Sequence, residues 1–444
     1  MDRCWVSRQR GRQRVAKMAI VRVGAFLVAL LLVLSKTLPC GAANERTGVN
    51  AAFDELSQAL IEYLADADFG AMRVPVNVDA IFATDPPNFD PVDRMITAIH
   101  KSGVEVLPML TFAPGDPKVI GARLKIVFAR YKNALPAYQL LDNINYTMGV
   151  STEWYSGVAR SAKLSLIAAN PKAKLVCGGI KGFDLSFVKA LDDHKAFDSL
   201  DAIAFNLYPR PGIVERPTVE KPEGGADTSA YQNDLGRYQE VRDSLADLKV
   251  PVWVTSLGYA TGMPPYGSDQ VTQASFLTRG VIALTALGAE KVFVDRALDT
   301  DDETSIEPTT HLGLIDAGHV PKVSYYAFRS FNRALEGASL VADFPEYRFA
   351  NQFPAKDDPV YTAFYKKGTQ VVMLYWTPFL SYMDRKTNVM MFDRSLVPGD
   401  GFGLLDGQPT KVKYKMGGNF ILIVDMPLSQ IPTVITFERI TSGE

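Results

Sequence analysis

Thiol and imidazole chemistry are scarce in this chain, with 3 cysteines and 4 histidines in 444 residues. Cys4 and Cys40 lie near the amino terminus, leaving Cys177 as the one thiol in the body of the sequence, so a disulfide framework is excluded. His100, His194, His311 and His319 are scattered, none at a paired helical spacing, which argues against a metal centre and predicts no metal. No other cofactor signature is present either. An excess of one charge is also missing: 47 Lys and Arg stand against 49 Asp and Glu, for a net charge of −2. With no basic block beyond the amino terminus, nucleic acid is not an expected partner. No apolar run reaches the length of a stable membrane span.

The longest such run, Ala25 to Leu34, reads instead as the core of a signal peptide. Lys17 and Arg22 precede it, and Gly41-Ala42-Ala43 offers small residues for cleavage after Ala42 or Ala43. Residues 1–43 are therefore read as a targeting segment, with Met18 a second candidate start. The mature protein is expected to be exported, periplasmic or secreted. Cys40 raises a lipid-anchor reading, which Thr37 and Pro39 fit poorly.

What is present is a long globular chain. Hydrophobic content of 47% and charged content of 22% suit a folded core rather than a disordered segment. From Thr47 onward, short apolar runs alternate with helix-period segments. Runs at 47–50, 71–76, 104–111, 137–141, 174–177, 200–205, 251–255 and 291–295 read as strands. Helices are expected at 53–65, 93–101, 118–131, 151–169, 185–191, 234–248, 268–287 and 323–335. Eight strands alternating with helices predict a parallel (β/α)8 TIM barrel over 44–337, with its site at the strand C-termini. Beyond Gly337 the runs shorten and are broken by Gly, Pro and Asp, predicting a β-sandwich domain over 338–444.

The stretch 135–179 carries the most specific pattern. An apolar run breaks at Asp142-Asn143-Ile144-Asn145, a helix follows from Ser151, Asn170-Pro171 stops it, and Lys174 to Cys177 leads into Gly178-Gly179. This stretch resembles glycoside hydrolases of clan A, in particular family 39 and the PslG-like proteins of bacterial exopolysaccharide operons. Those proteins carry W-x-x-W-N-E-P-N at the end of barrel strand four, and here Tyr138 to Asn145 occupies that place. Met72-Arg73-Val74 looks like the family's second strand. Asp201 to Pro209 is similar to D-x-I-x-F-H-x-Y-P, with Asn206 replacing the His. Pro251 to Tyr259 is similar to P-x-W-V-T-E-x-G-W, with Ser256 replacing the Glu. Leu312 to Asp316 and Pro321 to Tyr326 extend the resemblance through the last helix.

The resemblance implies a polysaccharide or oligosaccharide ligand and a two-glutamate site, and it places Asn143 at the acid/base and Ser256 at the nucleophile. Retaining hydrolysis needs two carboxyl groups about 5 Å apart, and neither residue supplies one. Arg73, Asp142, Asn206, Tyr208, Tyr259 and Asp295 are the expected binding residues. Tyr208 and Tyr259, just past strand ends, are candidates to stack on a sugar ring. Trp154 and Tyr155 fit stacking or packing equally, and Trp253 fits packing. Asp295 beside Arg296 reads as an ion pair, and Asp299, Asp301, Asp302 and Glu303 as a solvated acidic loop. That loop also excludes a Gly-rich phosphate site after strand eight.

The first expectation is a non-catalytic polysaccharide-binding protein acting in exopolysaccharide assembly or export, with envelope proteins of that assembly as candidate partners. A hydrolase or transglycosidase using relocated carboxylates, and an envelope scaffold with a vestigial cleft, are the alternatives.

Overall fold

The computed structural model describes residues 44–209, 237–263, 267–301, 307–341, 346–350, 360–378, 386–405, 407 and 409–439. The expected signal peptide and the acids Asp302 and Glu303 lie outside them.

Eight barrel positions are filled in chain order by parallel strands. They are β1 (Thr47–Asn50), β2 (Ala71–Asn77), β3 (Glu105–Thr111), β4 (Ala137–Leu140), β5 (Lys174–Val176) with β6 (Ile180–Lys181), β7 (Ile203–Leu207), β8 (Val252–Leu257) and β9 (Lys291–Val294). The fifth position is thus split in two. β5 pairs with β4, while β6 pairs with β7. A bridge between Val176 and Ala202 joins the halves and curls the sheet into the expected barrel. The split falls at Gly178-Gly179 because the chain there passes too close to its neighbours for a side chain. A Cβ on Gly178 would lie 2.5 Å from the Leu140 carbonyl oxygen.

Helices cover the strands: α1 (Gln58–Asp66), α2 (Asp90–Lys101), α3 (Pro117–Arg130), α4 (Thr152–Ala169), α5 (Leu185–Asp193), α6 (Tyr238–Ser244), α7 (Gln270–Ala286) and α8 (Val323–Leu335). The first begins later than the apolar periodicity suggests. The Ser57 side chain caps it by accepting from the Leu60 amide at 3.1 Å. Phe53 to Leu56 are thereby released into the β1–α1 loop. Helix α7 is buried almost all round, because the barrel lies on one side and the C-terminal sheets on the other. Ser275 Oγ, on its outer face, donates to the Gln430 carbonyl at 2.8 Å.

A short parallel pair, β10 (Arg296–Leu298) and β11 (Gly313–Ile315), follows the eighth barrel position. After α8 the chain becomes antiparallel. Strands β12 (Ser339–Leu340), β14 (Tyr361–Lys367), β15 (Gln370–Trp376), β17 (Leu396–Gly403), β18 (Thr410–Lys411) and β21 (Thr433–Arg439) form one sheet. Strands β13 (Tyr347–Ala350), β16 (Lys386–Met391), β19 (Lys413–Met416) and β20 (Ile421–Pro427) form the second. β15 explains its own unbroken apolar run. Val371, Met373 and Tyr375 point between the two sheets, whereas Val372, Leu374 and Trp376 join the barrel core. A strand covered on both faces has no polar face to show. The fold is the predicted (β/α)8 barrel followed by a β-sandwich.

Candidate functional site

The strand C-termini open into a cleft of about 900 Å³. Asn50, Arg73, Asp142, Asn143, Lys181, Tyr208, Ser256 and Asp295 reach it from seven of the eight barrel positions. Apart from Arg73, which lies inside β2, each comes at or just past the end of a strand, where the chain leaves the packed interior and a polar side chain can face the mouth.

Beneath the cleft a polar layer ties the strands together. Arg73 is 5% exposed, and its Nη2 contacts Asp142 Oδ1 at 2.6 Å. Its Nε donates to Gln139 Oε1 at 2.5 Å and its Nη1 to Asn50 Oδ1 at 3.0 Å. Gln139 Nε2 in turn donates to the Cys177 carbonyl at 3.1 Å. Thr255 Oγ1 donates to Asn206 Oδ1 at 2.9 Å, and Asn206 Nδ2 donates to Asp142 Oδ1 at 2.7 Å and to Asn143 Oδ1 at 3.1 Å. A largely buried network whose polar groups bond to one another holds its members rigidly. Asp142 is therefore oriented from two sides, with the same oxygen taking a guanidinium and an amide.

The packing allows nothing larger than glycine beside this carboxylate. A Cβ on Gly179 would lie 2.3 Å from Asp142 Oδ1 and 2.4 Å from Asn206 Nδ2. Asn143 sits at φ +46°, in the left-handed region that asparagine tolerates better than most residues.

The opposite wall has a second carboxylate. Asp295 Oδ1 accepts from Tyr208 OH at 2.8 Å and from Ser256 Oγ. Burial first, and the neighbouring Asp295 charge next, hold the Tyr208 hydroxyl protonated well above the ordinary tyrosine range. It therefore remains a donor. Asp295 was expected to pair with Arg296; its hydrogen bonds go to Tyr208 and Ser256, while Arg296 acts electrostatically on Glu55.

Other expected residues fall elsewhere. Tyr259 is 2% exposed and packs on Phe276 at 5.2 Å between ring centres, so it supports the wall from behind and offers no face to a sugar. Tyr155 is wholly buried and donates to the Leu140 carbonyl at 3.3 Å, while Trp154 Nε1 donates to the Gly115 carbonyl at 2.8 Å. Both are packing residues of α4. Trp253 is buried as expected, with Nε1 on Glu290 at 3.0 Å. Asp299 is not solvated: at 4% exposure, it contacts Lys322 Nζ at 2.5 Å and accepts from the Gly313 amide at 2.7 Å. Burial pushes the Cys177 thiol up to about 12, so it is inert. Among the described residues no three His, Cys, Asp or Glu side chains gather into a metal-binding group.

Asn50, Gln139 and Thr255 were missed. Each is a polar residue in or ending an apolar strand run, and that interruption was the available signal. Glu55, which also lines the cleft, was hidden by reading residues 53–65 as helix.

Solved structures match this architecture. A family 39 glycoside hydrolase from Bacteroides cellulosilyticus WH2 superposes with a TM-score of 0.67 at 15% identity, covering 90% of this chain and 83% of its own. The fold is that of glycoside hydrolases. A monomeric β-xylosidase from Caulobacter crescentus CB15 gives 0.60 at 14% identity, over 92% and 98% of the two chains. A family 30 subfamily 8 xylanase from Clostridium acetobutylicum gives 0.59 at 13%, over 88% and 95%. No family model matches the sequence, and no curated protein matches it. At these identities the likeness is one of fold, and the cleft occupies the end of the barrel where such folds carry their sites.

Proposed function

We propose that the protein binds a polysaccharide or oligosaccharide in the barrel-mouth cleft without hydrolysing it, as an exported, PslG-like component of exopolysaccharide assembly or export. One observation carries the reading. The two positions that the family resemblance assigns to glutamates hold Asn143 and Ser256, and the nearby Asp142 has one oxygen engaged by both Arg73 and Asn206. Asn143 has no proton to donate at a useful pH. Ser256 donates its own proton to Asp295, and among the described residues no histidine lines the cleft to act as its base. What the cleft keeps is a set of amide, hydroxyl and cationic groups suited to sugar hydroxyls.

A second reading is favoured by a specific contact. Asp295 is oriented by Tyr208 and Ser256 at the strand end next to β8, as a relocated nucleophile would be. Calorimetric titration and a sensitive turnover assay, run on the same polysaccharide panel and on activated aryl glycosides, separate these readings. Binding without product supports the proposal. Turnover abolished by Asp295→Asn replaces it with the second reading, and absence of any binding leaves a vestigial cleft on an envelope scaffold.

A further inference from the structure

A helix on the outside of a barrel turns a polar face to solvent, and most of these do. Among the described residues α2 and α5 expose no large apolar side chain, and α1, α7 and α8 expose one each, Tyr63, Val271 and Tyr326. The neighbours α3 and α4 depart from this. Val119 and Ile126 on α3, and Leu164 and Ile167 on α4, are aliphatic and 49–66% exposed.

Charge on these two helices is as one-sided. α3 carries Lys118, Arg123, Lys125 and Arg130 and no acid, and α4 carries Arg160 and Lys163 against Glu153 in its first turn. Arg123, Arg130 and Lys163 are held by Asp79, Asp93 and Asp201. Lys118, Lys125 and Arg160 are exposed and, among the described residues, meet no carboxylate. Seven residues make two helical turns, so Lys118 and Lys125 stand in one row about 10 Å apart, with Val119 and Ile126 in the row beside it. Lys132, just past the cap of α3, continues the lysine spacing.

The two helices present one surface because they touch closely. A Cβ on Gly121 would lie 2.9 Å from Ser161 Cβ, and Ser165 Oγ donates to the Gly121 carbonyl at 2.8 Å. Lys118 and Lys125, three residues before Gly121 and four after it, share its side of α3. Leu164, three after Ser161, shares that side of α4. The lysine row therefore rises at the junction, with aliphatic side chains on both flanks. Cations on long apolar stems among exposed aliphatics match the boundary between acyl chains and anionic head groups, where the stem lies along hydrocarbon and the charge reaches phosphate. A sugar surface would offer aromatic rings, and those of these helices, Phe128, Trp154 and Tyr155, are buried or half-buried. A second copy on the same face would bring like charges together.

We propose that the joined outer face of α3 and α4 docks on a bilayer surface rich in anionic phospholipid. The contact is peripheral, since no helix among the described residues is long and apolar enough to cross a membrane. The face lies on the flank of the barrel, so docking there leaves the cleft at the strand C-termini open. The inference stands independently of what the cleft binds.

The test is sedimentation of the full mature chain with vesicles of phosphatidylcholine alone or of equal parts phosphatidylcholine and phosphatidylglycerol. Lys118→Glu with Lys125→Glu removes the charged element, and Leu164→Ser with Ile167→Ser the apolar one. Lys411→Glu with Lys415→Glu makes the same charge change at exposed positions of the C-terminal sheets. All these side chains are exposed, so every variant should melt with the wild type. Wild type is expected to sediment with the mixed vesicles, far less with phosphatidylcholine alone, and to be released by salt. Both face variants should bind roughly tenfold or more weakly, and the distant control should bind as wild type does. Absent binding, or equal binding to the two vesicles, overturns the inference. So does a control that loses as much as the lysine variant, because the attraction is then one of net charge. Binding lost in the lysine pair but kept in the serine pair also overturns it and makes the face a site for soluble polyanions or acidic proteins. Should the serine pair melt lower, Leu164→Ser alone is read by the same criteria.

Discussion

The Tyr208 hydroxyl donates to Asp295 Oδ1 at 2.8 Å, joining the end of the sixth barrel position to that of the eighth across 87 residues of sequence. Ser256, between them on β8, donates to the same oxygen. A serine at that place cannot reach as far as a glutamate, and Asp295 fills the gap from the neighbouring strand. The wall is thus organised around a carboxylate that entered from β9 rather than β8.

This contact separates two tyrosines that look alike in the sequence. Tyr208→Phe keeps the ring and removes the donor, and loss of a hydrogen bond to a charged group is expected to cost about 1.5–3 kcal/mol of stability. Tyr208→Ala removes the ring from the cleft as well and is expected to weaken glycan affinity by roughly 1 kcal/mol or more. Tyr259→Ala should behave differently. Its ring is buried against Phe276, so the change costs about 3–5 kcal/mol of folding stability, as for other buried aromatics. Urea unfolding with calorimetric titration checks all three. A Tyr259→Ala protein as stable as wild type but unable to bind would return that residue to the site.

The buried Asp299–Lys322 pair gives a prediction with a defined pH dependence. Burial raises the Asp299 titration above its usual range and outweighs the attraction of Lys322. A carboxyl raised in the folded state stabilises most at low pH, where it is protonated in both states, and that contribution is lost as pH rises through the folded value. Lys322→Met removes the main compensating charge and leaves the Gly313 amide and His311. The variant is expected to lose about 3–5 kcal/mol at neutral pH. Its deficit should shrink in acid, where Asp299 is neutral. Urea unfolding across pH 4 to 7 reads the effect. A deficit independent of pH would mean that Lys322 acts through packing alone.

The barrel was legible because its strands are buried on both faces and stand out as apolar runs between capped helices. Asp142, Asn143, Asn206 and Ser256 were legible because motif spacing fixes which residues end each strand. Partners were not. Nothing in the local sequence says that Arg73 and Asn206 converge on one oxygen of Asp142, since closure of the barrel brings them together. The Asp295–Arg296 neighbourhood misled for the opposite reason, because adjacent residues on an extended chain point to opposite faces. Glu55 was hidden because apolar periodicity ran through the Ser57 cap, a signal that was present and outranked.

Placing glutamates at the two motif positions tests whether this scaffold can support hydrolysis. Asn143→Glu with Ser256→Glu places carboxyl groups at both positions the family resemblance indicates, and each needs the other, so the single changes should give nothing measurable. Even the pair is handicapped by its surroundings. Position 143 lies at φ +46°, where an ordinary side chain costs on the order of 1–2 kcal/mol, so a glutamate there is strained. It would also stand beside Asp142, while a glutamate at 256 would meet Asp295 in place of the hydrogen bond that Ser256 now donates. Like charges so close disfavour joint ionisation and destabilise the fold. Adding Asp295→Asn relieves that second clash, so the triple variant is expected to be more stable than the double and to show the larger activity on activated aryl glycosides, still only a trace. Wild type is expected to show none. Robust wild-type turnover that disappears in Asp295→Asn alone would show instead that the carboxylate on β9 had taken over the chemistry, with Tyr208 and Ser256 as its donors.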